Sequence, residues 1–122
     1  MYTEQRRHYS RIRFHGTARL LVADRQLPCT VLDLSLKGAL IKLEEDLPDL
    51  AADEPCLLEI SLQDDAIIVR MEANLAHRSG HHAGLVCREI DLDSITHLRR
   101  LLELNLGDAE LLNREFSALI SD

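Results

Sequence analysis

The sequence predicts a mainly β domain with additional α structure: a six-stranded antiparallel β-barrel followed by C-terminal helices. Two observations carry this prediction. Short segments of alternating apolar and polar residues recur between Ile12 and Leu92, separated by turn residues, and after Leu92 the apolar period becomes helical. Six strands at this spacing, in a chain of 122 residues that can form a single core, suit a small closed or nearly closed barrel.

The clearest strand covers residues 66–77, where Ile67, Val69 and Met71 alternate with polar residues. This period of two is expected of a strand with one buried face. The other predicted strands are 17–23, 27–34, 38–43, 58–62 and 82–90. A longer acidic loop is predicted at 44–55.

The helical period begins after Leu92. Asp91 or Asp93 can accept the N-cap hydrogen bond, and Gly107 can adopt the left-handed conformation that ends a helix. The predicted apolar stripe of this helix consists of Ile95, Leu98, Leu101, Leu102 and Asn105. Asp108 then begins a second short helix, whose apolar face holds Leu111, Leu112, Phe116 and Leu119. We expect these helices to cover an open end or a flank of the barrel.

Charge divides the chain into two parts. Residues 1–11 have no apolar periodicity and are predicted to form a flexible basic arm. Residues 12–122 form the folded part, with the barrel at about 12–92 and the helical segment at about 92–120. Residues 1–25 carry a net charge of +4 and the remainder −11, so the acidic body disfavours long DNA or RNA, whereas a small anion can bind at the basic arm.

Composition narrows the class of protein further. No apolar stretch approaches the ~20 residues of a membrane span, and the polar N-terminus lacks the apolar core of a secretory signal, so we expect a cytoplasmic protein without membrane contact. The cysteines, Cys29, Cys56 and Cys87, have no C-x-x-C spacing and are predicted to be reduced core thiols. A single domain of this size is compatible with a monomer.

Two polar clusters carry candidate binding chemistry. The first is Arg6, Arg7 and Arg11, and the second is the D-x-S-x-x-G run of Asp33, Ser35 and Gly38 at the end of a strand. Arginine binds phosphate or a guanine edge with two hydrogen bonds, and a carboxylate can accept the hydrogens of guanine's Watson–Crick edge. Taken singly, the arginines are typical of a solvated charge cluster and the second run of an ordinary turn. Taken together, they suit a guanine nucleotide that carries phosphodiesters.

This combination resembles the PilZ domain. R-x-x-x-R (Arg7 and Arg11), followed about twenty residues later by [D/N]-x-S-x-x-G (Asp33, Ser35, Gly38), is that family's motif, and the strand order and C-terminal helix resemble small single-domain members from pseudomonads. The resemblance covers essentially the whole chain.

The resemblance implies a receptor for cyclic di-GMP that has neither catalytic activity nor a cofactor or metal. Arg7 and Arg11 would hold guanine edges and phosphates, Asp33 and Ser35 would complete the pocket, Gly38 would close the turn, and Arg6 would add a contact. Members of this kind often bind an intercalated pair of ligand molecules. We expect the arm to become ordered on binding and the signal to pass to an effector protein, which is not identified by the sequence.

One position departs from similar proteins. Some carry a tryptophan after the equivalent of Leu75 that stacks on guanine, and the corresponding residue here is His77. A smaller ring predicts weaker stacking, and its protonation would make binding depend on pH.

Three alternatives remain. PilZ-like domains with damaged motifs act as ligand-independent adaptors, but both halves of the motif are intact here. His77, His81 and His82 lie near one turn and could approach a metal, although no third ligand follows at a convincing spacing. Hydrolysis by Ser35 is disfavoured because no G-x-S-x-G sequence surrounds it.

Overall fold

The computed structural model describes residues 11–46, 53–62, 66–107 and 113–118, except for the side chains at positions 13 and 15. The strands are β1 (Ile12–Val22), β2 (Arg25–Ser35), β3 (Gly38–Leu43), β4 (Pro55–Leu62), β5 (Ile67–Ser79) and β6 (His82–Ile90), and the helix α1 is Leu92–Leu106. They form a closed barrel in the order β1-β2-β3-β6-β5-β4. All neighbouring strands are antiparallel. The predicted six-stranded barrel with a C-terminal helix is therefore confirmed.

The first strand begins at Ile12, five residues earlier than position 17 where the sequence placed it. The alternation of apolar and polar residues continues back to Ile12, but Gly16 is a residue type that strands disfavour, and the pairing with β2 is irregular between Arg13 and Gly16. A bulge of this kind adds a residue to one strand and interrupts the regular pattern. The strand nevertheless continues, since Ile12 and Ala18 are both buried in the core.

Aliphatic side chains fill the barrel, in keeping with an aromatic content of only 3%. The largest that are fully buried are Leu20, Leu27, Leu34, Leu36, Ile41, Leu43, Leu58, Ile60, Met71, Leu98 and Leu102. Those from the strands alternate with outward-facing residues, as a barrel wall requires, and Leu98 and Leu102 come from the helix.

Cys29 and Cys56 are buried and Cys87 is half-buried, all three as free thiols. Burial raises the pKa of Cys29 to about 12 and that of Cys56 to about 11, with smaller contributions from nearby carboxylates.

The helix packs against the barrel at β5 and β1. At its start the backbone N–H of Ser94 donates to Asp91 Oδ2 at 3.0 Å, so Asp91 is the N-cap. The buried Ser94 hydroxyl accepts from the backbone N–H of Arg70 at 2.8 Å and so joins the helix to β5. Gly107 ends the helix in the left-handed conformation, with φ of 69°.

The predicted apolar stripe of this helix needs one correction. Asn105 is exposed, and its amide donates to the carbonyl of Leu101 at 2.8 Å instead of facing the barrel. The buried positions are Ser94, Ile95, Leu98 and Leu102.

Of the predicted second helix, residues 113–118 are helical and Phe116 packs against the core and the Arg99 guanidinium. Asp108, Leu111, Leu112 and Leu119 lie outside the described residues. Within the described part of the chain, no helix is both long and apolar enough to cross a bilayer.

Candidate functional site

The end of β2 carries the second half of the predicted motif. Asp33 and Ser35 flank the buried Leu34, so both lie on the outer side of the barrel wall. The pairing of β2 with β3 shifts between Val31 and Asp33, and this bulge turns the strand so that Leu34 points inward. The sequence reasoning that put Asp33 and Ser35 on one face of an extended segment agrees with this geometry.

Asp33 lies beside the one arginine of the motif that the structure describes. Arg11 Nη1 lies 3.4 Å from Asp33 Oδ1, with the Arg11 side chain 67% exposed and that of Asp33 23% exposed. An exposed pair at this separation contributes only about 0–1 kcal/mol, so the two groups are available to a ligand. Arg6 and Arg7 lie outside the described residues.

Ser35 holds the β2–β3 turn together. Its Oγ accepts a hydrogen bond from the Lys37 backbone N–H at 3.2 Å and makes a longer contact of 3.5 Å with the Gly38 carbonyl oxygen. The side chain is buried, with 5% exposure. This is the turn geometry that short hydroxyl side chains commonly support. In this structure the hydroxyl is therefore occupied within the turn, and a contact with phosphate stays a prediction.

Gly38 is required by the packing of two strands. A Cβ at this position would lie 2.0 Å from the Leu85 carbonyl oxygen on β6 and 3.3 Å from the Cα of Val86. The positive-φ glycines among the described residues are Gly80 and Gly107, so Gly38 is not needed for a left-handed conformation. Sequence reasoning connected this glycine with the turn and with a ligand, whereas its close neighbour is the β6 backbone.

His77 lies on the same outer face as Asp33, three strands away. The register pairs Asp33 with Leu40, Leu40 with Gly84, and Gly84 with His77. Directly paired residues point to the same face and lie about 4.5–5.5 Å apart, so the row from Asp33 to His77 spans about 15 Å. We call these four residues the binding row. Leu40 and Gly84 were not recognised in the sequence, because the strand order β2-β3-β6-β5 that aligns them cannot be read from a local pattern.

A second arginine cluster on the outer surface is less suited to a small anion. On the other side of the barrel, Glu59 is 10% exposed in its side chain and is held by Arg19 at 2.7 Å and Arg70 at 2.9 Å. These arginines are already paired within the protein. His81 Nε2 lies 2.8 Å from Asp46 Oδ1. Among the described residues no three metal-ligating side chains come together, so nothing there supports the metal alternative for the three histidines.

Comparison with known proteins decides the family. The profile of the PilZ domain matches residues 5–104, which include both halves of the motif and the whole barrel. The chain belongs to the PilZ domain family. PilZ domains are binding domains of a family that binds cyclic di-GMP.

Two solved structures illustrate the likeness in fold. The PilZ domain of CeSA from a cellulose-synthesizing bacterium is 18% identical, with a TM-score of 0.62 over 80% of this chain and 96% of that one. The Bacillus subtilis inhibitor of motility (MotI/DgrA) is 20% identical, with a TM-score of 0.64 over 81% of this chain, and the match spans 52% of the Bacillus protein. At these identities the likeness establishes a common fold.

Proposed function

We propose that this PilZ domain is a receptor for cyclic di-GMP, which binds along the row from Asp33 to His77 and is held by the arginines of the N-terminal arm. The observation that carries the proposal is the position of Asp33, an accessible carboxylate on the outer face with Arg11 beside it at 3.4 Å. A guanine nucleotide with phosphodiesters needs both groups: an acceptor for its base edge and a cation for its phosphates or its O6/N7 edge.

The chemistry of the row fits the two ends of such a ligand. The Asp33 carboxylate can accept the N1 and N2 hydrogens of one guanine, and Arg11 can then turn from Asp33 to a phosphate or a base edge. This exchange is favourable because the Arg11–Asp33 pair is exposed and weak, whereas charge-assisted hydrogen bonds to a bound ligand are stronger. At the other end of the row, whose backbone positions span about 15 Å, His77 offers a planar ring for a second base, and this ring leans over Gly84 toward Asp33.

The floor between these ends is low and uncharged. Leu40 is half-buried, and the His77 ring lies against Gly84, so a planar ligand can approach the strand backbone at Leu40, between Asp33 and that ring. One molecule or an intercalated pair can lie on such a floor. The stoichiometry is therefore part of the test.

Arg6 and Arg7 are proposed to bind the ligand from the arm, which becomes ordered in the process. Fixing a residue costs roughly 1–2 kcal/mol, so part of the binding energy of the arginines is used to order their own segment. Coupling of this kind would convert ligand binding into a new surface for an effector protein. Amide hydrogen exchange tests it: residues 1–11 should become protected with ligand, and unchanged exchange on saturation would refute the ordering.

A ligand-independent adaptor is the second candidate function. It is supported by the likeness in fold to the Bacillus subtilis inhibitor of motility. In an adaptor the barrel presents a protein-binding surface without the ligand, and substitutions at Asp33 would leave partner binding unchanged.

Titration calorimetry separates the two functions. Cyclic di-GMP should bind the wild type with a micromolar or lower Kd, which corresponds to about −8 kcal/mol or better, and GTP should not. Arg7→Ala, Arg11→Ala and Asp33→Ala should each weaken binding at least tenfold. The matched control is Arg25→Ala, which removes an arginine from a similarly exposed ion pair with Glu45 at the opposite end of β2.

The outcomes are distinct. Loss of binding in the three site variants, with retention in the control, supports the receptor. An equal loss in Arg25→Ala would mean that only general charge matters. A folded wild type that does not bind cyclic di-GMP would refute the receptor and leave the adaptor.

A further inference from the structure

We infer that Gly84 is a positioning residue for the binding row: because it has no Cβ, the ring of His77 can lie over β6, in line with Leu40 and Asp33. This inference rests on the cyclic di-GMP binding proposed above. It adds to the proposed site a residue that lies outside the PilZ motif. The role of this residue is to let the His77 ring adopt its orientation over β6.

The geometry of the pair is direct. A Cβ at Gly84 would lie 2.6 Å from His77 Nδ1 and 2.9 Å from His77 Cε1, distances below the 3.0 Å that a real Cβ requires. The ring therefore occupies the space in which any other residue at position 84 would place its side chain. Its Nδ1–Cε1 side covers the glycine, which is the cross-strand partner of His77.

The backbone at Gly84 does not by itself require glycine. Among the described residues the glycines with positive φ are Gly80 and Gly107, so an alanine at position 84 is compatible with the local conformation. The three heavy atoms nearest to a new Cβ would all belong to the His77 side chain. What demands glycine here is the position of the ring.

The strand itself directs His77 toward this position. The pairing of β5 with β6 is irregular between Leu75 and His77, and a bulge at that point redirects the next side chain. An aromatic ring that covers a cross-strand glycine is a known way to shield the glycine backbone. Because Gly84 leaves this space open, the ring can adopt the orientation in line with the row before a base stacks on it, and preorganisation of this kind favours affinity.

Gly38 provides a contrast within the same barrel. The atom that a Cβ at Gly38 would meet is a backbone carbonyl oxygen of β6, which cannot swing aside, whereas the obstacle at Gly84 is the end of a side chain that can rotate. Gly84→Ala should therefore leave the barrel folded and move only the His77 ring. This difference makes the variant a specific probe of ring position.

The experiment compares cyclic di-GMP affinity in the wild type, Gly84→Ala, His77→Ala and the double variant, each checked for folding by thermal unfolding. We expect Gly84→Ala and His77→Ala each to weaken binding about fivefold to tenfold, at the low end for a base stacked on a side chain. We expect the double variant to bind no more weakly than either single variant, because both remove the same contact. In the free wild type, nuclear Overhauser effects should connect the His77 ring protons with the Gly84 Hα protons, and Gly84→Ala should shift the ring resonances.

Each outcome supports or overturns the inference. Gly84→Ala that binds as well as the wild type, while His77→Ala is impaired, overturns the positioning role and leaves the receptor intact. Additive losses in the double variant also overturn it, because independent contacts would then be involved. Full binding by His77→Ala removes the ring from the site. Failure of the wild type to bind refutes the proposed function itself and the inference with it, and the absence of ring-to-Gly84 contacts in the free protein refutes the geometry separately.

Discussion

Replacement of Gly38 by alanine tests whether this glycine belongs to the fold or to the ligand site. The added Cβ would meet the Leu85 carbonyl oxygen at 2.0 Å, and contacts under 3.0 Å are essentially never found. Strand β3 must therefore move away from β6 by at least about 1 Å at this point. The displacement falls beside the 2.7 Å hydrogen bond from the Cys87 N–H to the Lys37 carbonyl oxygen, which would weaken with it.

The expected cost follows from these contacts. Forcing an extra methyl group into a packed region costs about 1–3 kcal/mol, and each weakened ladder hydrogen bond adds about 0.5–1.5 kcal/mol. We expect Gly38→Ala to lower the free energy of unfolding by about 2–4 kcal/mol. For a domain of this size that corresponds to a decrease in Tm of roughly 10 °C.

Thermal and urea unfolding followed by circular dichroism measure this effect, with Gly84→Ala as the matched control. Both variants add one methyl group to a strand glycine on the outer face, but the added group meets backbone in one and a movable side chain in the other. Gly84→Ala should change stability by less than about 0.5 kcal/mol, as a surface substitution does. If the two variants were equally stable, the steric account of Gly38 would be refuted.

Three further predictions concern stability and reactivity. Glu59→Ala should destabilise the barrel by about 1–2 kcal/mol, since it removes a shielded acceptor of two arginine hydrogen bonds. A double-mutant cycle with Arg70→Ala measures the coupling energy between the two side chains, and a coupling energy near zero would contradict this prediction. Hydrogen bonds from Ser94 lower the pKa of Asp91, so its stabilising effect is complete above its ordinary value near 3.8 and is lost as the pH falls through the lower folded pKa. Asp91→Asn should therefore lose less stability than the wild type below pH 4 in acid unfolding, and parallel curves would exclude this effect. Burial raises the pKa of Cys29 to about 12 and of Cys56 to about 11. Both thiols should therefore react with Ellman's reagent at pH 8 only at the rate at which the protein unfolds. Rapid labelling of the native protein would argue against their burial.

The strands and the helix could be predicted because each rests on a local pattern. The alternation of Ile67, Val69 and Met71 requires one buried face, and this holds for β5 almost as predicted. The N-cap at Asp91 and the left-handed Gly107 also depend on neighbours within a few residues. The beginning of β1 was predicted too late, because Gly16, a residue type that strands disfavour, lies just before position 17 and the pairing with β2 is irregular between Arg13 and Gly16.

The candidate site was only partly readable from the sequence. Asp33 and Arg11 were identified by their chemistry, and the structure brings them within 3.4 Å of each other. Gly84 and Leu40 were missed because their place beside Asp33 and His77 arises from pairing between strands far apart in the chain. Neither residue has a functional group that would attract attention. Leu40 leaves a low floor and Gly84 leaves room for the His77 ring, and both contributions become visible only when the barrel is closed.

The motif combines two physical roles that mutation can separate. Ser35 and Gly38 are buried or confined by backbone contacts, so their substitution disturbs the turn and the β3–β6 pairing whether or not a ligand binds. Asp33 and Arg11 face solvent and form only a weak pair, so their loss should leave the barrel stable. A related domain that keeps the serine and glycine but lacks the arginines and aspartate would therefore still fold and could serve as an adaptor. It follows that loss of binding in a Ser35 or Gly38 variant cannot distinguish a receptor from a damaged fold, whereas loss in Asp33→Ala with unchanged Tm identifies a receptor.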